Sequence, residues 1–256
     1  MLKKFIWIWN QEENRVRAGW RVLVQMMLTA GLLSALAASG FFNGGKFQLT
    51  RIETALVGIG VSVIVFMTVF VDKRRFRDLG VNLVEKRWWS DLGLGVLLGL
   101  FQTVVFLFAA RSLGWVTIKP VFRANTANVP LMFALLMDMV VFISVAIMEE
   151  LIRAYQLRNV AEGVANTASK WRLGLLIGSL VASLFSVAMH LNQHGPGFWV
   201  YIFLRSVIYC LGFCLTGWVA IAMGLHFAWD FFSTTVVSLG GAGGINAAVL
   251  FSAPLT

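Results

Sequence analysis

Long stretches without a charged side chain are the feature that most constrains how this chain can fold. Residues 22–45, 54–71 and 92–110 contain no Asp, Glu, Lys or Arg. A helix of about 20 apolar residues crosses the hydrocarbon core of a bilayer, and it satisfies its own backbone hydrogen bonds there. The three stretches therefore predict three transmembrane helices.

The C-terminal half of the chain continues this pattern. Residues 131–148 are interrupted only by Asp138, which we interpret as a structural acid, and a helix is expected to run on to about residue 163. Residues 173–204 hold no charged side chain apart from two histidines. The turn sequence NQHGPG at 192–197 divides this stretch into one complete span and the start of another.

Two further helices follow that turn, a sixth over about residues 198–215 and a seventh from about 218 to 239. The chain is 59% hydrophobic and 13% charged, whereas about a quarter of the residues in a soluble domain are charged. We therefore predict an all-α, polytopic transmembrane helix bundle of about seven spans, or eight. Without an internal repeat or a long linker, residues 1–256 are expected to form a single membrane domain.

Lys and Arg are concentrated in alternate connecting segments of this bundle. Fifteen lie in residues 1–21, 72–91 and 153–172, and five lie in residues 43–53, 111–128 and 192–197. The positive-inside rule then predicts an integral, multi-pass protein of a bacterial-type cell membrane. Residues 1–21 would be a cytoplasmic, amphipathic N-terminus before an uncleaved first span. The net charge of +9 is explained by this topology and by contact with the lipid bilayer, so no nucleic-acid partner is expected.

A few ionisable side chains interrupt the apolar runs, and each is costly in a membrane unless it is paired. They are Glu149, Glu150, His190, His226 and Asp230. Glu149 lies four residues before Arg153, and His226 lies four residues before Asp230, so each pair shares a helix face and is predicted to be in contact. Arg153 would keep a carboxylate ionised and able to take a proton from water, while Asp230 would orient the His226 ring. This pattern indicates hydrolytic chemistry inside a membrane.

Three motifs resemble those of the CAAX prenyl protease and bacteriocin-processing family of intramembrane endopeptidases, also called CPBP or Abi. They are EELIRAYQL from Glu149, SLFSVAMHLN with His190 and Asn192, and GLHFAWDFF with His226 and Asp230. The resemblance covers residues 146–238, which we therefore predict to be the catalytic core.

Two spacings depart from the family pattern. The family has three residues between its second glutamate and the arginine, whereas only two precede Arg153 here. Ser186 also occupies the site where the family has a phenylalanine, four residues before His190. Aligned on the arginine, Glu149 takes the place of the second glutamate, so the catalytic base is either Glu149 or Glu150.

The resemblance implies a metal-independent glutamic peptidase that cleaves a membrane-associated or lipidated peptide or protein. One of the two glutamates would activate a water together with His190, with Arg153 and Asn192 as supporting residues. His226 would donate a hydrogen bond to the oxyanion. Asp230 stands where the family often has asparagine, and because an ionised carboxylate cannot donate, it is expected to orient His226 instead.

Three alternatives stay open at this point. Glu150, His190, His226 and Asp230 together would suit a Zn²⁺ ion with an open water position, although no His-Glu-x-x-His element is present. The shifted spacings also fit a non-catalytic relative that acts as a membrane immunity or scaffold protein. A proton-coupled transporter would carry similar buried groups, but usually with repeated halves.

Overall fold

The computed structural model describes residues 8–11, 13–40, 48–125, 129–165, 168–191, 195–239 and 247–254. Seven α-helices account for most of this part of the chain. They are α1 (Ala18–Ala38), α2 (Gln48–Phe66), α3 (Lys86–Ser112), α4 (Leu131–Val164), α5 (Ala168–Met189), α6 (Pro196–Thr216) and α7 (Ala220–Phe231).

Five of these helices are long and apolar enough to cross a membrane, namely α1, α3, α4, α5 and α6. A π-helical turn, Met67–Val71, extends α2, and Ala55–Val71 forms a shorter apolar helix. Large apolar side chains such as Phe101 and Phe108 are well exposed, as expected for side chains in contact with lipid. The prediction of a polytopic helical membrane protein is confirmed. The predicted second span, residues 54–71, is helical throughout, whereas α7 is shorter than the predicted seventh span.

Helix α4 is one continuous helix of 34 residues, roughly 51 Å long at about 1.5 Å per residue. The predicted continuation past residue 148 is therefore confirmed, and Glu149 lies within the helix rather than at its end. Helices α5 and α6 are separate, as predicted, and residues 192–194 of the predicted turn lie outside the described residues. Helix α1 begins at Ala18, so that Arg21, counted above in the N-terminal segment, lies inside the helix.

The prediction that the seventh helix runs to about Leu239 is wrong at its C-terminal end. Helix α7 ends at Phe231 and passes through a π-helical turn, Phe232–Val236, into a short strand, β4 (Val237–Ser238). Two threonines and two valines occupy positions 234–237, and β-branched side chains favour strand over helix. The glycine-rich segment 240–244 lies outside the described residues.

The chain divides into two compact units, and the first comprises residues 1–41, 58–88 and 148–220. Its N-terminal strands β1 (Trp9–Asn10) and β2 (Arg15–Val16) form an antiparallel pair. Helices α4 and α5 lie so close together that a Cβ on Gly178 would be 2.7 Å from the Leu157 carbonyl oxygen. Small residues allow such close approach between membrane helices.

Buried polar side chains also connect α1, the segment after α2, and α4 in this unit. Asp72 accepts hydrogen bonds from Tyr155 Oη at 3.0 Å and from Asn159 Nδ2 at 3.1 Å, and its Oδ1 lies 3.4 Å from Arg21 Nη1. Farther along α1, Gln25 accepts a hydrogen bond from Gln156 at 2.8 Å. Because buried polar groups need partners, these contacts fix the positions of α1 and α4 relative to each other.

The second unit comprises residues 42–57, 89–147 and 221–256. Helices α3 and α7 are in contact, since a Cβ on Gly224 would collide with the Leu92 carbonyl oxygen. A three-stranded sheet has the order β3–β5–β4, where β3 is Lys119–Ala124 and β5 is Ala248–Ser252. The pair β3–β5 is antiparallel and the pair β4–β5 is parallel. That the whole chain is a single membrane domain stays a prediction.

Candidate active site

Arg153 holds both glutamates of the first motif on α4. Its Nη2 lies 2.9 Å from Glu149 Oε2, and its Nη1 forms an ion pair with Glu150 Oε1. The Glu150 and Arg153 side chains are 2% and 4% exposed, whereas the Glu149 side chain is 18% exposed. The predicted contact between Glu149 and Arg153 is therefore confirmed, and Glu150 shares the same guanidinium.

Helix α5 brings Ser186 to this ion cluster, and His190 lies one helical turn farther along the chain. Arg153 Nη2 donates a hydrogen bond to Ser186 Oγ at 3.3 Å. His190 follows directly after α5, with Nδ1 2.7 Å from the Ser186 carbonyl oxygen. Because a carbonyl can only accept, Nδ1 carries the hydrogen in this contact, and Nε2 of the neutral ring is an acceptor.

Aromatic rings of α6 cover the cluster on another side. The Arg153 guanidinium carbon lies 5.2 Å from the centre of the Tyr209 ring, and the Arg205 guanidinium carbon lies 5.6 Å from the centre of that ring. Arg205 also lies 5.5 Å from the Tyr201 ring centre. Cation–π contacts of this kind stabilise a guanidinium away from bulk water.

His226 and Asp230 form the second predicted pair, on α7 in the other unit. His226 Nε2 lies 3.0 Å from Asp230 Oδ2, which confirms the predicted contact. The His226 side chain is fully buried and that of Asp230 is 18% exposed. A carboxylate at this distance restricts the ring orientation.

Asp138 has a structural role in this second unit, as the sequence indicated. Its carboxylate accepts hydrogen bonds from Thr235 Oγ1 at 3.0 Å and from the backbone N–H groups of Ala247 and Ala248 at 2.8 and 2.9 Å. The acid therefore connects α4 to the π-helical turn after α7 and to the start of β5.

Two predicted positions lie in the turn between α5 and α6, outside the described residues. They are Asn192, predicted to support catalysis, and His194. Within the described part of the chain, no group of three or more His, Cys, Asp or Glu side chains is close enough together to hold a metal ion. Of the proposed Zn²⁺ ligands, Glu150 is bound to Arg153.

Sequence reasoning did not assign a role to Ser186 or Tyr209. Ser186 stands where the family has phenylalanine, and this substitution could have indicated a contact. A polar side chain that is buried needs a hydrogen-bond partner. No sequence signal distinguished Tyr209 from the other aromatic residues of the membrane helices.

Comparison with protein families identifies one match that includes these residues. Residues 130–232 match the family model described as type II CAAX prenyl endopeptidase, Rce1-like. The matched segment contains α4 to α7 and all five predicted catalytic residues. A search of curated proteins finds no match, and a search of solved structures finds none either. The resemblance to CAAX-type intramembrane peptidases is confirmed over this segment.

Proposed function

We propose that this protein, whose residues 130–232 match the Rce1-like type II CAAX prenyl endopeptidase family model, is a metal-independent intramembrane peptidase. It hydrolyses a peptide bond in a membrane-associated or lipidated peptide or protein, using a water activated by glutamate and histidine. The observation that carries this proposal is the ion cluster on α4, in which Arg153 holds two carboxylates and contacts Ser186.

Glu149 is the general base in this proposal, and Glu150 positions Arg153. The Glu149 side chain is the more exposed of the two, so a water and a peptide carbonyl have access to it. The neighbouring guanidinium favours the ionised carboxylate, which is the form that removes a proton from water. His190, whose Nε2 is an acceptor in the neutral ring, would hold the same water.

For His226 we keep the role that the family resemblance implies, which is to donate a hydrogen bond to the oxyanion. A buried donor is effective because little solvent competes for the oxyanion, and His226 is fully buried. The contact with Asp230 supports a positioning role for that residue, because it would hold the imidazole in one orientation. The substrate reaches these groups from the bilayer, and the N-terminus lies in the cytoplasm.

A cleavage assay with matched variants tests the assignment. The wild type and the Glu149→Gln, Glu150→Gln and His190→Ala variants are reconstituted in liposomes with fluorogenic peptides, both prenylated and unprenylated. Glu149→Gln should lower kcat by about 10²–10⁴-fold, the usual contribution of a general base. Glu85→Gln changes an exposed glutamate just before α3; it is the control and should retain full activity.

The same assay separates the alternatives. Cleavage that survives all three substitutions would exclude the proposed base and its partner. Inhibition by a strong chelator that is reversed by added zinc would favour the metal-dependent version. A folded wild type that cleaves no member of the panel would favour the immunity or scaffold interpretation.

A further inference from the structure

A cavity of about 530 Å³ lies at the start of α1 in the first unit. Strand β1, the first turns of α1 and the end of α4 contribute to its lining, which includes Arg17, Arg21 and Glu162. None of the predicted catalytic residues lines it. The cavity is therefore distinct from the proposed active site.

Arg21 gives this cavity hydrogen-bond donors that the described residues do not satisfy. The side chain is only 1% exposed, yet neither Nε nor Nη1 has a hydrogen-bond acceptor within the described part of the chain. Nη1 does lie 3.4 Å from Asp72 Oδ1, as an ion pair. Because buried donors are costly without acceptors, the cavity suits a ligand that is rich in acceptor atoms.

Positive charge is concentrated around the one carboxylate at the end of α4. Glu162 is bound by Arg15, by Arg74 Nη2 at 2.5 Å and by Arg21 Nη2 at 3.1 Å. Arg17 adds a further guanidinium to the cavity lining, and Glu13 adds a second carboxylate. Four arginines here are thus set against three carboxylates, Glu13, Asp72 and Glu162. The first turn of α1 also presents the positive end of the helix dipole here, which favours an anion.

Two exposed apolar side chains in the lining indicate that the ligand comes from the membrane. Trp20 and Leu23 line the cavity and are 41% and 44% exposed. Both are on α1, whose apolar sequence is long enough to cross a membrane. Tryptophan is typical of the membrane–water interface, at the depth of the lipid headgroups.

We propose that this cavity binds the phosphate of an anionic phospholipid, with the headgroup against Arg17 and Arg21 and the acyl chains along Trp20 and Leu23. Basic pockets beside membrane helices commonly bind such headgroups. The site is independent of the proposed peptidase activity, since its ligand and its residues are different.

Native mass spectrometry of the full-length chain tests this site. The chain is purified in detergent, mixed with phosphatidylglycerol or phosphatidylcholine, and the retained lipid is counted. Phosphatidylglycerol should be retained preferentially. Arg17→Gln should weaken its binding about fivefold, as expected for one arginine at an anionic surface. Gly19→Leu should block the cavity sterically, since Gly19 lines it and a Cβ there would meet nothing within 4 Å.

Matched controls make the result interpretable. Arg172→Gln removes an exposed charge that does not line the cavity, and Gly31→Leu adds the same side chain at another open position of α1. Both should leave lipid retention unchanged. Equal retention of the two lipids, or retention that neither Arg17→Gln nor Gly19→Leu lowers, would overturn the proposal. Inorganic phosphate that stabilises the chain as well as phosphatidylglycerol would show a free-phosphate site instead.

Discussion

Arg153 determines the electrostatics of the cluster on α4, because one guanidinium is shared by two carboxylates. Glu150 is the deeper of the two acids and can be buried only while it is paired. The Glu149 side chain is partly exposed and pairs with Nη2 of the same guanidinium. A single residue thus holds both the structural acid and the proposed general base.

Replacing Arg153 with lysine keeps the positive charge but should weaken the simultaneous contact with Glu149 and Glu150. Lysine is a point charge and lacks the planar fork that contacts two carboxylates at once. We expect Arg153→Lys to lower kcat strongly and the melting temperature slightly. Arg153→Gln should cost about 3–5 kcal/mol of unfolding free energy, because it leaves Glu150 buried without a cation.

Thermal unfolding and peptide cleavage, measured on the same samples, check both variants. Arg172→Lys is the matched control, since Arg172 is exposed. An Arg153→Gln variant with wild-type stability and activity would show that the ion cluster has neither role.

Asp230 is expected to act through its contact with His226 rather than on the substrate. Asp230→Asn should remain active within about threefold, because an amide oxygen can accept from the imidazole as the carboxylate does. Asp230→Ala should lower kcat by about 100-fold through misorientation of the ring, with KM nearly unchanged. Kinetics on both variants test this, and a large rise in KM for Asp230→Ala would indicate substrate contact instead.

At the level of helices, the contacts of Arg153 within α4 could be predicted from the sequence, whereas its contact with α5 could not. Separations of three and four residues both lie on one helix face, so contact of Arg153 with Glu149 was predictable. The contact with Ser186 was not, because it depends on how α4 and α5 are aligned. That alignment depends on close backbone contacts at Gly174 and Gly178. Their Gly-x-x-x-Gly spacing is typical of a packed helix face, but it identifies neither the partner helix nor the alignment.

A methyl group at Gly178 should therefore disturb the site from a distance. In Gly178→Ala, the new Cβ would lie 2.7 Å from the Leu157 carbonyl oxygen and 3.0 Å from the Leu157 Cα, both backbone atoms. Overpacking of this kind costs about 1–3 kcal/mol. We expect a lower melting temperature and reduced kcat, since α5 carries Ser186 and leads to His190.

Gly31→Ala is the matched control for this prediction. A Cβ at Gly31 would meet nothing within 4 Å, and alanine stabilises a helix interior relative to glycine. Its melting temperature should be unchanged or slightly higher. Equal behaviour of the two variants would mean that α4 and α5 are not in close contact at Gly178.

The strands at the C-terminal end were not predicted, because their stabilising contacts come from a distant part of the chain. Asp138 is 97 residues from Thr235 and 109 residues from Ala247. Asp138→Ala should release the segment around β5, since two backbone N–H groups lose their acceptor, at a cost of about 1–3 kcal/mol for each buried group.

Limited proteolysis around residues 247–254 checks the release of this segment, with Ser144→Ala as the control. Ser144 is on the same helix, and its hydroxyl donates only to the Val140 carbonyl of its own helix among the contacts described. Resistance to proteolysis in Asp138→Ala equal to that of the control would contradict the prediction.

For the whole molecule, arginines that lie inside helices do not count toward the charge difference between the two sides of the membrane. Arg21 and Arg153 are buried in α1 and α4, so neither counts as a residue of a connecting loop. Without them the asymmetry is thirteen Lys and Arg against five. The excess still favours a cytoplasmic N-terminus, and a cytoplasmic segment between α2 and α3 follows if the chain crosses the membrane twice before it.

Cysteine labelling in intact cells tests this topology. Cys210→Ala and Cys214→Ala first remove both native thiols, and Glu85→Cys or Leu113→Cys then adds one at an exposed position before or after α3. A membrane-impermeant maleimide should label the Leu113→Cys chain in intact cells. It should label the Glu85→Cys chain only after permeabilisation, because the loop before α3 holds four Lys and Arg at positions 73–77 and should stay in the cytoplasm. If Glu85→Cys is labelled in intact cells and Leu113→Cys only after permeabilisation, the orientation is the opposite one. The proposed lipid cavity would then face the outer leaflet.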